Sequence, residues 1–154
     1  MLLLAAAAPA WPANQDSVTG TGRHQGADPP FPSIQVHVNA FADAFGADAR
    51  GRLISDMTNA TSVGRYEGRV TCLTLYYSII GPLATVGIEI VDASNPELVG
   101  MGQLWNFGDG GGGSFVIDRI AGYPLSAQPP TVCPQLTFAV PVQSGNYVIN
   151  DAAP

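Results

Sequence analysis

Two cysteines, Cys72 and Cys133, two histidines, His24 and His37, and a scatter of carboxylates are the side chains of this 154-residue chain that could do chemistry. A catalytic thiol needs a base to generate thiolate, and only the two histidines could serve. Neither lies in a recognisable motif. A carboxylate pair for glycoside hydrolysis could be drawn from Glu67, Glu89, Asp92, Glu97, Asp109 and Asp118, but such a pair needs a set separation across a cleft. Most of the six sit at strand ends or on outward parities, where solvated turn residues are expected. Two His and two Cys without ligand spacing make no metal centre, and no G-x-S-x-G elbow occurs. GDGGGGS at 108–114 lacks the Lys and following helix of a phosphate loop and the tandem copies of a calcium repeat, so it reads as a hairpin loop. The expectation is a chain that is not an enzyme and uses no metal or cofactor.

The cysteines fit export better than catalysis. The start, MLLLAAAAPAWPANQ, carries an apolar stretch of about a dozen residues and an A-x-A-like site at Ala8-Pro9-Ala10, the pattern that signal peptidase reads. A basic n-region is missing, which places the true start upstream or makes Met1 internal to a longer signal. Residues 1–13 are therefore expected to be a signal peptide or its remnant, and 14–154 a single β domain. In an oxidising compartment an even pair of cysteines closes into one disulfide, Cys72 to Cys133; the competing reading is two buried free thiols. No other segment is long and apolar enough to span a bilayer.

Composition sets the class of elements that must position these groups. Gly 18 and Pro 13 favour short strands joined by turns over long helices. The basic residues are six Arg with no Lys, and the net charge of −6 excludes nucleic acid and anionic membrane surfaces as natural partners.

Alternation locates the strands. DSVTGTGR at 16–23 is a glycine-interrupted strand, broken from His24 onward by a proline-rich stretch. Ile34, Val36, Val38 and Ala40 share one face of the next strand and Gln35, His37 and Asn39 the other, so His37 faces solvent. GRLISDM at 51–57 follows a connection with one helical turn, and TNATSVGRYEG reads as a polar connection. In GRVTCLTLYY at 68–77, strict alternation puts Leu73 and Leu75 on one face and Val70 and Cys72 on the other. After the Gly81-Pro82 turn, Ala84, Val86, Ile88 and Ile90 point inward and Thr85, Gly87 and Glu89 outward. Residues 99–107 and 114–122 continue the series. LTFAVPV at 136–142 and GNYVIND at 145–151 are expected to pair around Ser144-Gly145. The result is all-β: an antiparallel β-sandwich or flattened β-barrel of about eight strands.

VTGTG at 18–22, GRL at 51–53, VTCL at 70–73, ATVGIEI at 84–90, DRI at 118–120, Cys133 and GNYVIND at 145–151, in this order, resemble small secreted β-domain proteins abundant in actinobacteria, mostly uncharacterised. The resemblance implies one exported all-β domain with one disulfide and supplies no catalytic residue. The chain departs from that pattern in the turn after Tyr77, where it has the longer apolar YSIIGPL, and in GDGGGG, both in loops.

The remaining functional signal is aromatic. Trp105, Phe107, Tyr76, Tyr77, Tyr123 and Tyr147 could stack on sugars, although strand aromatics are more often core. The expected role is an exported or envelope-associated non-catalytic module making protein contacts, and the alternative is a carbohydrate-binding module whose exposed aromatics are Tyr77, Trp105 and Tyr123. The partner is then an extracellular protein or a glycan.

Overall fold

The computed structural model describes residues 15–25, 33–57, 64–111, 118–137 and 140–152. The expected signal peptide, residues 58–63 of the TNATSVGRYEG segment and residues 112–117 lie outside the described residues.

One antiparallel sheet runs through nine strands: β1 (Gln15–Gln25), β2 (Ser33–Asp43), β3 (Arg50–Asp56), β4 (Arg65–Ser78), β5 (Gly81–Ala93), β6 (Gly102–Gly108), β7 (Arg119–Gly122), β8 (Val140–Pro141) and β9 (Ser144–Asn150). The spatial order is β8-β7-β6-β5-β4-β3-β2-β1-β9, a meander whose last strand returns to pair with its first. The sheet curls around one interior, so the all-β expectation holds in its barrel-like form. Val86, Ile88 and Ile90 are buried in that interior with Val18, Val36, Leu53, Trp105 and Phe107, while Glu89 turns out to meet Arg69 at 2.5 Å.

Three local expectations are corrected. β4 does not alternate strictly: its register with β5 shifts between Val70 and Cys72, so that Val70 opposes Ile88 and Cys72 opposes Gly87. The extra residue, Thr71, forms a bulge that turns Val70 to the face of Leu73 and sends Cys72 outward. Next, TNATSVGRYEG is only partly a connection, because β4 begins at Arg65 and Tyr66 is already a core residue.

Finally, β8 and β9 do not pair with each other. β8 pairs with β7 and β9 with β1, and residues 142–143 carry the chain between the two ends of the sheet, Val142 N–H donating to the Asp118 carbonyl and Gln143 N–H to the Arg23 carbonyl. The physical reason lies in β1. Tyr147 of β9 lays its ring across Gly20 and Gly22, where a Cβ on Gly22 would stand 2.6 Å from Tyr147 Cε2. Its hydroxyl donates to the Val36 carbonyl at 3.2 Å. The two glycines of VTGTG thus make the space that the tyrosine of GNYVIND fills.

The free edge of β9 is closed by carboxylates instead of by another strand. Asp118 accepts from Tyr147 N–H at 2.5 Å and Gly110 N–H at 2.9 Å, and Asp109 accepts from Ile149 N–H at 3.0 Å and Gly111 N–H at 2.6 Å. Edge donors that would otherwise invite a further strand are satisfied this way. Asp118→Asn replaces one acceptor by an NH2 facing an N–H, and is expected to cost about 1–3 kcal/mol, as for a buried donor left unpaired. Urea denaturation at pH 7 checks this; a loss under a few tenths would show that the seam is held by something else.

On the outside, residues 123–137 form an irregular strap over β4, β5 and β6. Pro124, Pro129, Pro130 and Pro134 deny it a ladder. Beyond an isolated bridge, in which Ser126 and Gly102 exchange two N–H···O bonds at 2.8 Å, side chains hold it instead. Thr71 Oγ1 donates to the Pro130 carbonyl at 2.6 Å, Tyr76 Oη accepts from Leu136 N–H at 3.0 Å, and Asn106 Nδ2 donates to the Leu136 carbonyl at 2.8 Å. Cys72 and Cys133 are joined in a disulfide, with Cα atoms 5.6 Å apart. It lies against Gly87, where a Cβ would come within 2.4 Å of Cys72 Sγ.

Candidate functional site

Among the described residues the interior is not filled at one end. There the strand ends converge on a cavity of about 150 Å³ lined by His24 of β1, Ile34 of β2, Met57 just beyond β3, Tyr66 of β4, Gln103 and Trp105 of β6, Ala121 and Gly122 of β7, and Val140 of β8, with Gln25 beside His24. Inward parity on β1 runs Asp16, Val18, Gly20, Gly22, His24, which is why the histidine ends up inside. At 4 % exposure it is as buried as the core valines. Its ring meets the edge of Trp105 at a centroid distance of 6.2 Å and 85°, and Trp105 continues into Phe107 at 6.5 Å and Phe107 into Tyr147 at 5.0 Å. An aromatic row therefore runs from the cavity into the core.

The polar groups of the cavity wall largely satisfy one another. Gln103 Oε1 accepts from the Tyr66 hydroxyl and from Trp105 Nε1–H, the latter at 3.0 Å, while Gln103 Nε2 donates to the Tyr123 carbonyl at 2.7 Å. His24 Nδ1 is different: it is buried with no hydrogen-bond partner. Burial lowers the imidazole to about 4 and raises the Tyr66 phenol to about 12, the hydrogen bonds to Tyr66 opposing the rise. Both are neutral near pH 7. Among the described residues no Asp, Glu or Arg lines the cavity.

No family model, curated protein or solved structure matches this chain.

The aromatics singled out from the sequence lie in three different settings. Trp105 is 2 % exposed and stands in the cavity wall. Tyr123 is half-buried at the start of the strap, its N–H donating to the Leu104 carbonyl at 2.9 Å. Tyr77 is 68 % exposed at the far end of β4 from Tyr66, next to the exposed Ile79 of the β4–β5 turn. The histidines separate too. His37 is on the outer face, Nδ1 2.6 Å from Thr21 Oγ1.

Of the carboxylates weighed for hydrolysis only Asp109 and Asp118 come together, and both are bound to backbone N–H groups. Asp109 and Asp118 close the β9 edge, Glu67 meets Arg52 at 3.5 Å, Glu89 meets Arg69, and Asp92 and Glu97 are exposed. Among the described residues no group of three or more His, Cys, Asp or Glu could hold a metal. Sequence reasoning missed His24, Tyr66 and Gln103 as neighbours. The signal was present for two of them: the β1 alternation, extended two residues, reaches His24, and the inward parity of Gly68 and Val70 reaches back to Tyr66.

Proposed function

We propose that this chain is an exported, non-catalytic binding module of the extracellular space or the cell envelope. One observation carries the reading. Among the described residues the groups that could do acid, base or nucleophilic work are oxidised, engaged in the fold or solvated: the thiols are oxidised, Asp109 and Asp118 are bound to backbone N–H groups, His24 Nδ1 has no hydrogen-bond partner, and the histidine–hydroxyl pair, His37 with Thr21, lies on the exposed outer face with Gln35 rather than a carboxylate at its other nitrogen. A histidine that activates a hydroxyl is normally oriented by a third group, and this pair has no carboxylate to do so. The disulfide supports an oxidising compartment, and among the described residues no helix is long and apolar enough to cross a membrane.

Protein contacts have their best support at the β4–β5 turn, where Tyr77 and Ile79 expose apolar surface beyond the sheet. The second reading, a carbohydrate-binding module on exposed aromatics, draws chiefly on Tyr77, since Trp105 is inside and Tyr123 is half-buried.

Fractionation of cells producing the full chain is expected to place it in the medium or envelope with both cysteines oxidised by non-reducing peptide mapping. Incubation with ester, glycoside and peptide panels is expected to give no turnover. A turnover abolished by His24→Ala or His37→Ala, with circular dichroism unchanged, would overturn the non-enzyme reading.

A further inference from the structure

We propose that the outer face of β1–β3 binds an acidic sugar chain, a uronic acid carboxylate meeting Arg52 while Thr21, His37 and Asn39 pair with the sugar hydroxyls. This rests on the reading of the chain as a binding module and adds a site in which neither Tyr77 nor Trp105 takes part. The site is an open groove of about 480 Å³ whose side chains come from Thr21, His37, Asn39, Arg52 and Ile54, a size within the roughly 300–1,000 Å³ of small-molecule sites. Strand register brings them together: Thr21 opposes His37 and His37 opposes Ile54, while Asn39 opposes Arg52 in the adjacent row.

Charge selects the ligand class. The whole chain carries six Arg against twelve acidic residues, yet Arg23, Arg50, Arg52, Arg65 and Arg69 all occupy outward positions of β1, β3 and β4. Against them β1–β4 set only Asp43, Asp56 and Glu67 outward. A locally positive face on a negative chain draws an anion. Arg52 and Arg69 also stand directly opposite each other, an unfavourable like-charge pair that an anion relieves. Glu67 meets Arg52 at 3.5 Å, but the Arg52 side chain is 63 % exposed and a surface pair of this kind holds weakly. Its planar fork is thus available to a carboxylate. Among the described residues no carboxylate and no Phe, Tyr or Trp lines the groove, so hydrogen bonds and charge hold the sugar in place of stacking. Thr21 Oγ1 and His37 Nδ1 lie 2.6 Å apart, which orients both groups. Hydroxyl, imidazole and the Asn39 amide all pair with sugar hydroxyls, and Ile54 meets the apolar C–H face.

The test uses the intact protein at pH 7 and low salt with three probes: a galacturonate trisaccharide, its methyl ester and a sulfated galactose trisaccharide. Isothermal titration and amide 15N spectra are recorded together. The galacturonate is expected to bind and to shift Thr21, His37, Asn39 and Arg52, its ester to bind about tenfold more weakly for want of the charge-assisted hydrogen bonds, and the sulfated sugar to bind more weakly than the uronate. Arg52→Gln is expected to bring acid and ester to equal affinity, whereas Arg65→Gln, outside the groove, changes their ratio by less than about twofold. Should Arg52→Gln fail to fold by circular dichroism, the wild-type affinities and spectra still decide. Absence of binding up to the solubility limit, equal affinity for acid and ester in the wild type, or shifts centred away from the groove would overturn the proposal. So would tighter binding of the sulfated sugar, or an equal loss in Arg65→Gln. Shortening of a trisaccharide would instead overturn the non-catalytic reading on which the proposal rests.

Discussion

Cys72→Ala is expected to lower the stability of the fold by about 4 kcal/mol, the loop-closure value for a cross-link between residues separated by 61 positions. The disulfide is more than a constraint on the unfolded chain. It pins the proline-rich strap to the outer face, where Thr85 and Asn106 are fully buried. Residues 123–137 have no continuous ladder of their own, so freeing Cys133 leaves the backbone bonds of Tyr123 and Ser126 at one end and Thr71, Tyr76 and Asn106 to hold them. Guanidinium denaturation of the oxidised wild type and the variant measures the loss. Amide exchange should rise first in the strap. A loss below about 1 kcal/mol with unchanged exchange in 123–137 would mean that the hydrogen bonds of the strap hold it without the disulfide.

Acidification from pH 7 to pH 5 is expected to remove about 2 kcal/mol of stability, and about 3 kcal/mol by pH 4, through His24. Burial lowers the folded imidazole to about 4, whereas the unfolded one titrates near 6.5. Between those values the unfolded chain binds the extra proton, so stability falls as pH falls. Asp16 works in the opposite sense. Its carboxyl is raised, chiefly by burial and further by Asp151, against the lowering hydrogen bond from Ala152 N–H, so it favours the fold as pH falls through the carboxylate range. Keeping the comparison between pH 7 and pH 5 isolates the histidine. His24→Gln should flatten this slope even if it lowers stability at pH 7. An unchanged slope in the variant, or a flat wild-type profile, would show that the imidazole is not held neutral by burial.

Strand existence and the facing of β5 could be read from the sequence because a half-buried strand repeats every two residues, and Ala84, Val86, Ile88 and Ile90 follow that period without interruption. The same rule placed His37 outside. The disulfide was expected from an even cysteine count together with the export proposed for the chain, both argued from the linear sequence.

Other features depended on what strands do to one another. The bulge at Thr71 reversed the facing of Val70 relative to Cys72, since a single extra residue shifts the parity and no residue type announces it. The partner of β9 was decided by shape: Tyr147 fits only where Gly20 and Gly22 leave room, and those residues lie more than a hundred positions away in the chain. Asp109 and Asp118 appear in the sequence as ordinary turn carboxylates. Only the curl of the sheet brings them to the free N–H groups of Tyr147 and Ile149. The cavity belongs to the same class. By itself the sequence determined which residues are apolar and with what period, because burial of alternate side chains is a local demand. The tertiary structure alone decided that His24, Tyr66, Gln103 and Trp105 share one wall, because register and curvature, which are properties of strand pairs, set what meets inside the sheet.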